Sequence, residues 1–228
     1  MKHFVYCAHG EDFADLVSNS QETVRKHHPD AAFTVYTDKN YGLDGQYVVG
    51  SYHAKPFMLM NVMCQTHWLL THPTDGTQVA FLDADVFLRK PLEVEQGNWD
   101  VTVTWRDNMG DVSMLMPYNY GVVVANRTVQ SCLGWSWMCN RITKLSPKNQ
   151  DWYGNQIALR ELCGPVSDEI TTRDHEYFDI RVNYLPCETY NFTPADDNPY
   201  EISDEVVALH FKGDRKELGE HYYREIMG

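Results

Sequence analysis

The first forty residues alternate between two hydrophobic periodicities. Phe4-Val5-Tyr6-Cys7-Ala8 is a continuous apolar run closed by His9-Gly10, the pattern of a strand covered on both faces. Phe13, Leu16, Val17, Ser20 and Val24 then recur at helical spacing, and Pro29 lies beyond their end. Phe33-Thr34-Val35-Tyr36-Thr37-Asp38 returns to β-branched and aromatic residues. Strand, helix and strand in so short a span predict a βαβ crossover, the connection that parallel strands require. The expected fold class is therefore α/β: a mostly parallel central sheet flanked by helices, with a Rossmann-like first half.

The same rhythm continues along the chain. Pro56 suits the first turn of a helix, where its missing N–H is no loss, and Phe57, Met60, Cys64 and Trp68 share one helical face. Thr71-His72-Pro73 ends it, and Val79-Ala80-Phe81-Leu82 reads as a buried strand. Further strands are expected at Val101–Thr104 and Gly121–Ala125, then a helix through Leu133-Gly134-Trp135. Residues Trp152–Leu162 read as one helix closed by Gly164-Pro165. Val206–His210 reads as a last strand before a short basic turn and a C-terminal helix. No linker, repeat or low-complexity tract interrupts this, so residues 1–228 are expected to form a single domain.

Composition narrows the partners. Of 228 residues, 43% are hydrophobic, enough for a sizeable core. Nineteen Lys+Arg against thirty-two Asp+Glu give a net charge of −13. That argues against a nucleic-acid footprint and against polybasic docking on anionic lipid. It leaves room for a polyanionic small ligand, because a bound divalent cation inverts the local field. No window approaches the ~20 apolar residues of a membrane span, and Met1–Asp12 lacks the apolar core of a secretory signal. The expectation is a cytoplasmic protein. Its six scattered cysteines, with no C-x-x-C pair, would then be reduced thiols, and the Asn126 and Asn191 sequons would carry no glycan.

The most informative stretch is Phe81-Leu82-Asp83-Ala84-Asp85. Two carboxylates directly after an apolar strand lie where open α/β sheets form their ligand crevice. Turned toward one point they repel unless a cation joins them, and hard divalent ions such as Mg²⁺ or Mn²⁺ take oxygen ligands shared with phosphates. His210-Phe211-Lys212-Gly213-Asp214-Arg215-Lys216 also follows an apolar strand. There His210 would complete the metal shell through a neutral ring nitrogen. Gly213 would let the backbone approach a ligand, and Lys216 would meet a phosphate.

Asp83-Ala84-Asp85, Tyr118-Asn119-Tyr120-Gly121-Val122 and His210-Phe211-x-Gly213-x-x-Lys216, in that order, resemble the motifs of the GT-A class of nucleotide-sugar-dependent glycosyltransferases. Within it they are similar to the glycogenin-like family and its bacterial galactosyltransferase relatives, over residues 3 to 216. The resemblance implies a UDP-sugar donor and retention of configuration. It implies that the nucleotide-binding part spans about 1–125 and the acceptor part about 100–205. It also implies roles for individual positions. Asp83, Asp85 and His210 would hold Mn²⁺ or Mg²⁺, Asp83 also touching ribose, with Ala84 between the two acids on the donor. Tyr6 and Ala8 would line the base pocket with Asp38. Lys55 would contact the donor, Asn119 and Gly121 would lie under its sugar, and Gly213 and Lys216 would hold its diphosphate. Asn155-Gln156 falls where the family carries an Asp-Gln pair near the reacting carbon, or else Asp151 takes the place of its acid. The chain departs from the family after Lys216, where Glu217-Leu218 replace the usual Pro-Trp.

An inverting reaction would need a carboxylate base, and Asp151 is the candidate; its ordinary role would be a helix cap. Acceptor contacts are expected among Trp99, Trp105, Trp135, Trp137, Trp152 and Tyr153, with the polar loop Trp105–Asp111 at the border. The alternatives are a sugar-nucleotide pyrophosphorylase, which would need a Gly/Arg-rich loop where Ala8-His9-Gly10-Glu11-Asp12 stands, or a non-catalytic nucleotide-sugar or metal-binding module. Neither a P-loop nor a G-x-G-x-x-G motif occurs.

Overall fold

The computed structural model describes residues 3–50, 55–106, 117–195 and 201–228. The expected βαβ start is β1 (His3–Ala8), α1 (Glu11–His27) and β2 (Ala32–Thr37), followed by a short edge strand β3 (Gln46–Val48). Helix α2 (Phe57–Thr71) begins after Pro56 and leads through a loop to β4 (Gln78–Leu82) and β5 (Val86–Leu88). Then come β6 (Val101–Trp105), β7 (Tyr118–Asn126), α3 (Val129–Thr143), α4 (Pro147–Asp151) and α5 (Gly154–Cys163). The chain ends with β8 (Thr171–His175), β9 (Phe178–Pro186), α6 (Cys187–Tyr190), β10 (Ala208–His210) and α7 (Lys216–Met227).

Eight strands form one sheet in the order β3-β2-β1-β4-β7-β6-β9-β8, and β10 pairs with β5 in a separate ribbon. The first four are mutually parallel, as is β6 with β9, whereas β7 runs antiparallel to both of its neighbours and β8 to β9. Strand β7 lies at the centre and all nine of its residues are buried, which is why its sequence is a valine run rather than an alternation.

Helices α2, α3 and α5 cover one face, where Trp68, Trp135, Leu159 and Leu162 pack on Val5, Phe81 and Val123. Helix α1 and the β5–β10 ribbon cover the first half of the other, with Val17 and Val24 against Phe4, Tyr6 and Ala80. Helix α7 seals the ribbon through Tyr222 and Ile226 against Phe87 and Phe211. All six cysteines are free. Among the described residues no helix is long and apolar enough to cross a membrane.

The helix expected over 152–162 is α5, which starts two residues later, and the short α4 before it was not expected. Tyr153, with φ +71°, stands before α5 as its N-cap and separates it from α4. The signal for α4 was present in Ser146-Pro147: Ser146 Oγ accepts the Asn149 N–H, and proline takes the first helical position.

Candidate functional site

The strand-end position of Asp83-Ala84-Asp85 follows from the break between β4 and β5. The Asp83 N–H donates to Gly121 O of β7 at 3.0 Å, and Val86 N–H closes a turn on Asp83 O. The Phe211 N–H donates to Asp85 O, tying the second acid to the residue after β10. His210, at the end of β10, thereby faces both carboxylates. Its Nε2 lies 3.2 Å from Asp85 Oδ1 and 3.6 Å from Asp83 Oδ2, and ligand atoms of all three residues fall within 4.8 Å of one another.

The protonation of that imidazole is set from behind. Asn191 Nδ2 donates to Thr104 Oγ1 at 2.7 Å and to Asn119 O at 3.3 Å, which leaves Asn191 Oδ1 as the acceptor at His210 Nδ1, 2.9 Å away. The proton of the neutral ring therefore sits on Nδ1, and Nε2 turns its lone pair toward the two carboxylates. Three electron-rich groups converging on one point repel one another, and a cation between them would relieve that repulsion. Two carboxylate oxygens and an imidazole nitrogen suit Mn²⁺ or Mg²⁺ with ligand oxygens completing the shell.

Gly121 is part of the same construction. A Cβ built on it would lie 2.2 Å from His210 Nδ1 and 3.0 Å from Asn191 Oδ1, so the missing side chain is the space His210 occupies. Asn119, two residues earlier on β7, is buried and bonds the Gly121 N–H through Oδ1. Its Nδ2 is a buried donor with no partner among the described residues, an uncommon situation at a site that is not awaiting a ligand.

The other expected residues fall into three groups. Ala8 and Asp38 line a hollow at the ends of β1 and β2 together with Cys7, His9, Val49 and Met60. Asp38 accepts from the Gly10 N–H and the Tyr41 hydroxyl, bonds that hold its carboxyl below the usual range although burial opposes them. Lys55 is exposed just before α2. Gly213, with φ +58° and open space where a Cβ would be, is the glycine its turn requires. Lys216 opens α7, and its side chain, like residues 107–111 of the polar loop, lies outside what the structure describes.

Tyr6, expected along the base pocket, places its side chain in the core. Alternation along β1 puts it with Phe4 and Ala8 on the α1 face, where its hydroxyl bonds Ser20 Oγ at 3.0 Å and burial pushes its pKa far up. Its side chain belongs to the core, and a base pocket would have only its backbone. Ala84 is likewise buried in the apolar cluster beneath α1. Asn155 is buried and its Oδ1 is taken by the Gln156 N–H at 2.8 Å, so of this pair only Gln156 reaches solvent. Asp151 ends α4 and caps another element: its Oδ1 accepts the Phe57 N–H at the start of α2, 3.4 Å away.

Two residues were missed. Lys212 is half-buried, and burial with the Arg106 guanidinium lowers its pKa to about 8, while Cys187, Asp83 and Asp85 pull it back up. Its basic-run sequence was visible, but the neighbouring Arg106 was not. Asn191 gave no signal, because its partnership with His210 crosses a loop and a ribbon.

No protein-family model and no curated protein matches the chain. Solved structures do. The galactosyltransferase LgtC, in complex with donor and acceptor sugar analogues, superposes with a TM-score of 0.58 at 14% identity over 98% of this chain and 94% of that one. The chain has the GT-A fold. A glycosyltransferase involved in glycosylating the major capsid of PBCV-1 gives 0.60 at 12% identity over 99% and 100%. The glycosyltransferase GlyE of Streptococcus pneumoniae TIGR4 gives 0.61 at 11% over 100% of this chain and 63% of that one.

Proposed function

We propose that the chain is a metal-dependent glycosyltransferase, a hexosyltransferase that moves its sugar from a UDP-sugar to a hydroxyl of a saccharide acceptor with retention of configuration. The observation that carries this reading is the convergence of Asp83, Asp85 and the His210 Nε2 lone pair, with His210 oriented by Asn191, in a GT-A fold. A divalent cation held by those three residues would supply the Lewis acid that stabilises the departing diphosphate.

The chain's own groups account for the rest. The hollow at Ala8 and Asp38 would receive the base and ribose. Asn119 Nδ2 would donate to the donor sugar lying over Gly121, filling its open valence. The Gly213 turn would bring backbone close to the diphosphate, with Lys212 and Lys216 supplying positive charge and Lys55 reaching it from the start of α2. Gln156 would stand near the reacting carbon; one of the neighbouring solved structures is an LgtC active-site mutant in which a glutamine is replaced by glutamate. In a retaining transfer the acceptor proton passes to the departing phosphate oxygen. Asp151 would then serve structure, capping α2, rather than act as base.

Residues 1–125 would form the nucleotide-binding part and residues about 100–205 the acceptor part. The test is a screen of UDP-hexoses for slow hydrolysis with and without Mn²⁺. The proposal expects at least one donor to be cleaved only with metal. Absence of cleavage and of bound nucleotide across the panel would overturn it.

A further inference from the structure

We propose that Trp152 and Tyr153 form an aromatic corner that receives a pyranose ring of the acceptor; this rests on the glycosyltransferase reading above. Six aromatic residues were acceptor candidates by sequence, and their surroundings separate them. Trp99 and Trp135 are buried, with their indole N–H groups bonded inside to Glu95 O and Gln65 Oε1. Trp105 and Trp137 pack on the core beneath α2 and α3. Trp152 and Tyr153 instead remain 57% and 45% exposed. Their ring centroids lie 5.7 Å apart with planes at 79°, so together they offer a face and an adjoining wall.

The backbone makes this exposure deliberate. Tyr153 is the one non-glycine with positive φ among the described residues, a conformation that an aromatic residue adopts only when its surroundings impose it. Here α4 and α5 impose it: α4 ends at Asp151 and α5 begins at Gly154, where a Cβ would lie 2.4 Å from Asn149 O, so the chain turns tightly across Trp152 and Tyr153. The corner is also in the right place. Asp151, adjacent to it, holds the Phe57 N–H, and Phe57 stacks on Phe13 in the first turn of α1, which follows β1. That is the strand-end edge on which Asp83 follows β4, and Gln156 lies in the first turn of α5, three residues beyond Tyr153.

The chemistry favours a sugar over a base. A pyranose has an apolar C–H face that an aromatic ring covers and a hydroxyl rim left in water, which matches two half-exposed rings. The nucleobase is assigned, under the proposed function, to the strand ends at Ala8 and Asp38.

The experiment compares wild type with Trp152→Ala, Tyr153→Asn, which tolerates positive φ without a ring, and Tyr153→Phe, which keeps the ring. Each is applied to a glycan array in Mn²⁺ and UDP, and UDP affinity is measured in parallel by calorimetry. The expected result is saccharide binding by wild type and Tyr153→Phe that falls about tenfold or more in Trp152→Ala and Tyr153→Asn, with UDP affinity unchanged in all. Saccharide binding retained by Trp152→Ala and Tyr153→Asn would overturn the corner. So would UDP binding by a wild type that takes no saccharide. Wild type that binds no UDP would instead overturn the reading beneath it.

Discussion

Replacing Gly121 with alanine puts a methyl group 2.2 Å from His210 Nδ1. The backbone there is an ordinary strand, so the effect is steric. Fully buried on the central strand, the site has no room to yield, and overpacking of this kind costs about 1–3 kcal/mol. If the imidazole moves, its bond to Asn191 is lost as well, adding about 1 kcal/mol. The total of about 2–4 kcal/mol predicts a Tm lowered by roughly 4–16 °C for a chain of this size. A displaced Nε2 should also weaken Mn²⁺ binding by at least about tenfold, the lower end of what mis-orienting a ligand costs. Thermal unfolding and calorimetric Mn²⁺ titration measure the two effects. Gly50→Ala, where an added Cβ meets nothing within 4 Å, is the control and should stay within about 0.5 kcal/mol of wild type. Gly121→Ala with unchanged Tm and unchanged Mn²⁺ affinity would refute the argument that this glycine exists to admit His210.

Three further outcomes are expected. Asn191→Ala should leave a folded protein whose Mn²⁺ affinity falls about 10–100-fold, because His210 loses the partner that fixes its tautomer; equal affinity by calorimetry would count against that role. Asp100→Ala should cost about 3–5 kcal/mol in urea unfolding, since buried Asp100 pairs with Arg181 at 3.0 Å and accepts Thr128 Oγ1 at 2.9 Å. His3 is held down at about 4, first by burial and then by His72 and Arg127. The unfolded chain, with His near 6.5, therefore binds the extra proton, and stability should fall as pH drops from 6.5 to 4 and flatten below. For a half-buried ring the loss is about 1–2 kcal/mol after solvent screening; His3→Gln should remove that portion of the slope.

What was legible in the sequence was whatever packs locally. Helix α1, with strands β1, β2, β4 and β7, announces itself because its apolar residues are spaced for faces that are buried. Strand β8 did not, since its TTRDH sequence lies at the sheet edge with alternate residues exposed and so carries no apolar signal. The three converging residues were visible because Asp83 follows β4, Asp85 precedes β5 and His210 ends β10. Their support was not: Asn191 reaches His210 from a separate turn, and Gly121 reads as a generic small residue until His210 is seen against it. For Tyr6, position along β1 suggested the ligand edge, while the strand's alternation turns its ring toward α1. The later start of α5 was not legible because nothing in Trp152-Tyr153 forbids a helix; Gly154 packing close to Asn149 O goes with the left-handed Tyr153 before it.

The central claim is that Asp83, Asp85 and His210 form a cation site that binds a nucleoside diphosphate. Calorimetric titration of UDP into wild type and Asp85→Ala, each with and without Mn²⁺, tests it most directly. The account predicts UDP binding by wild type only with Mn²⁺, and none by folded Asp85→Ala. Metal-independent UDP binding, or unchanged affinity in Asp85→Ala, would contradict it.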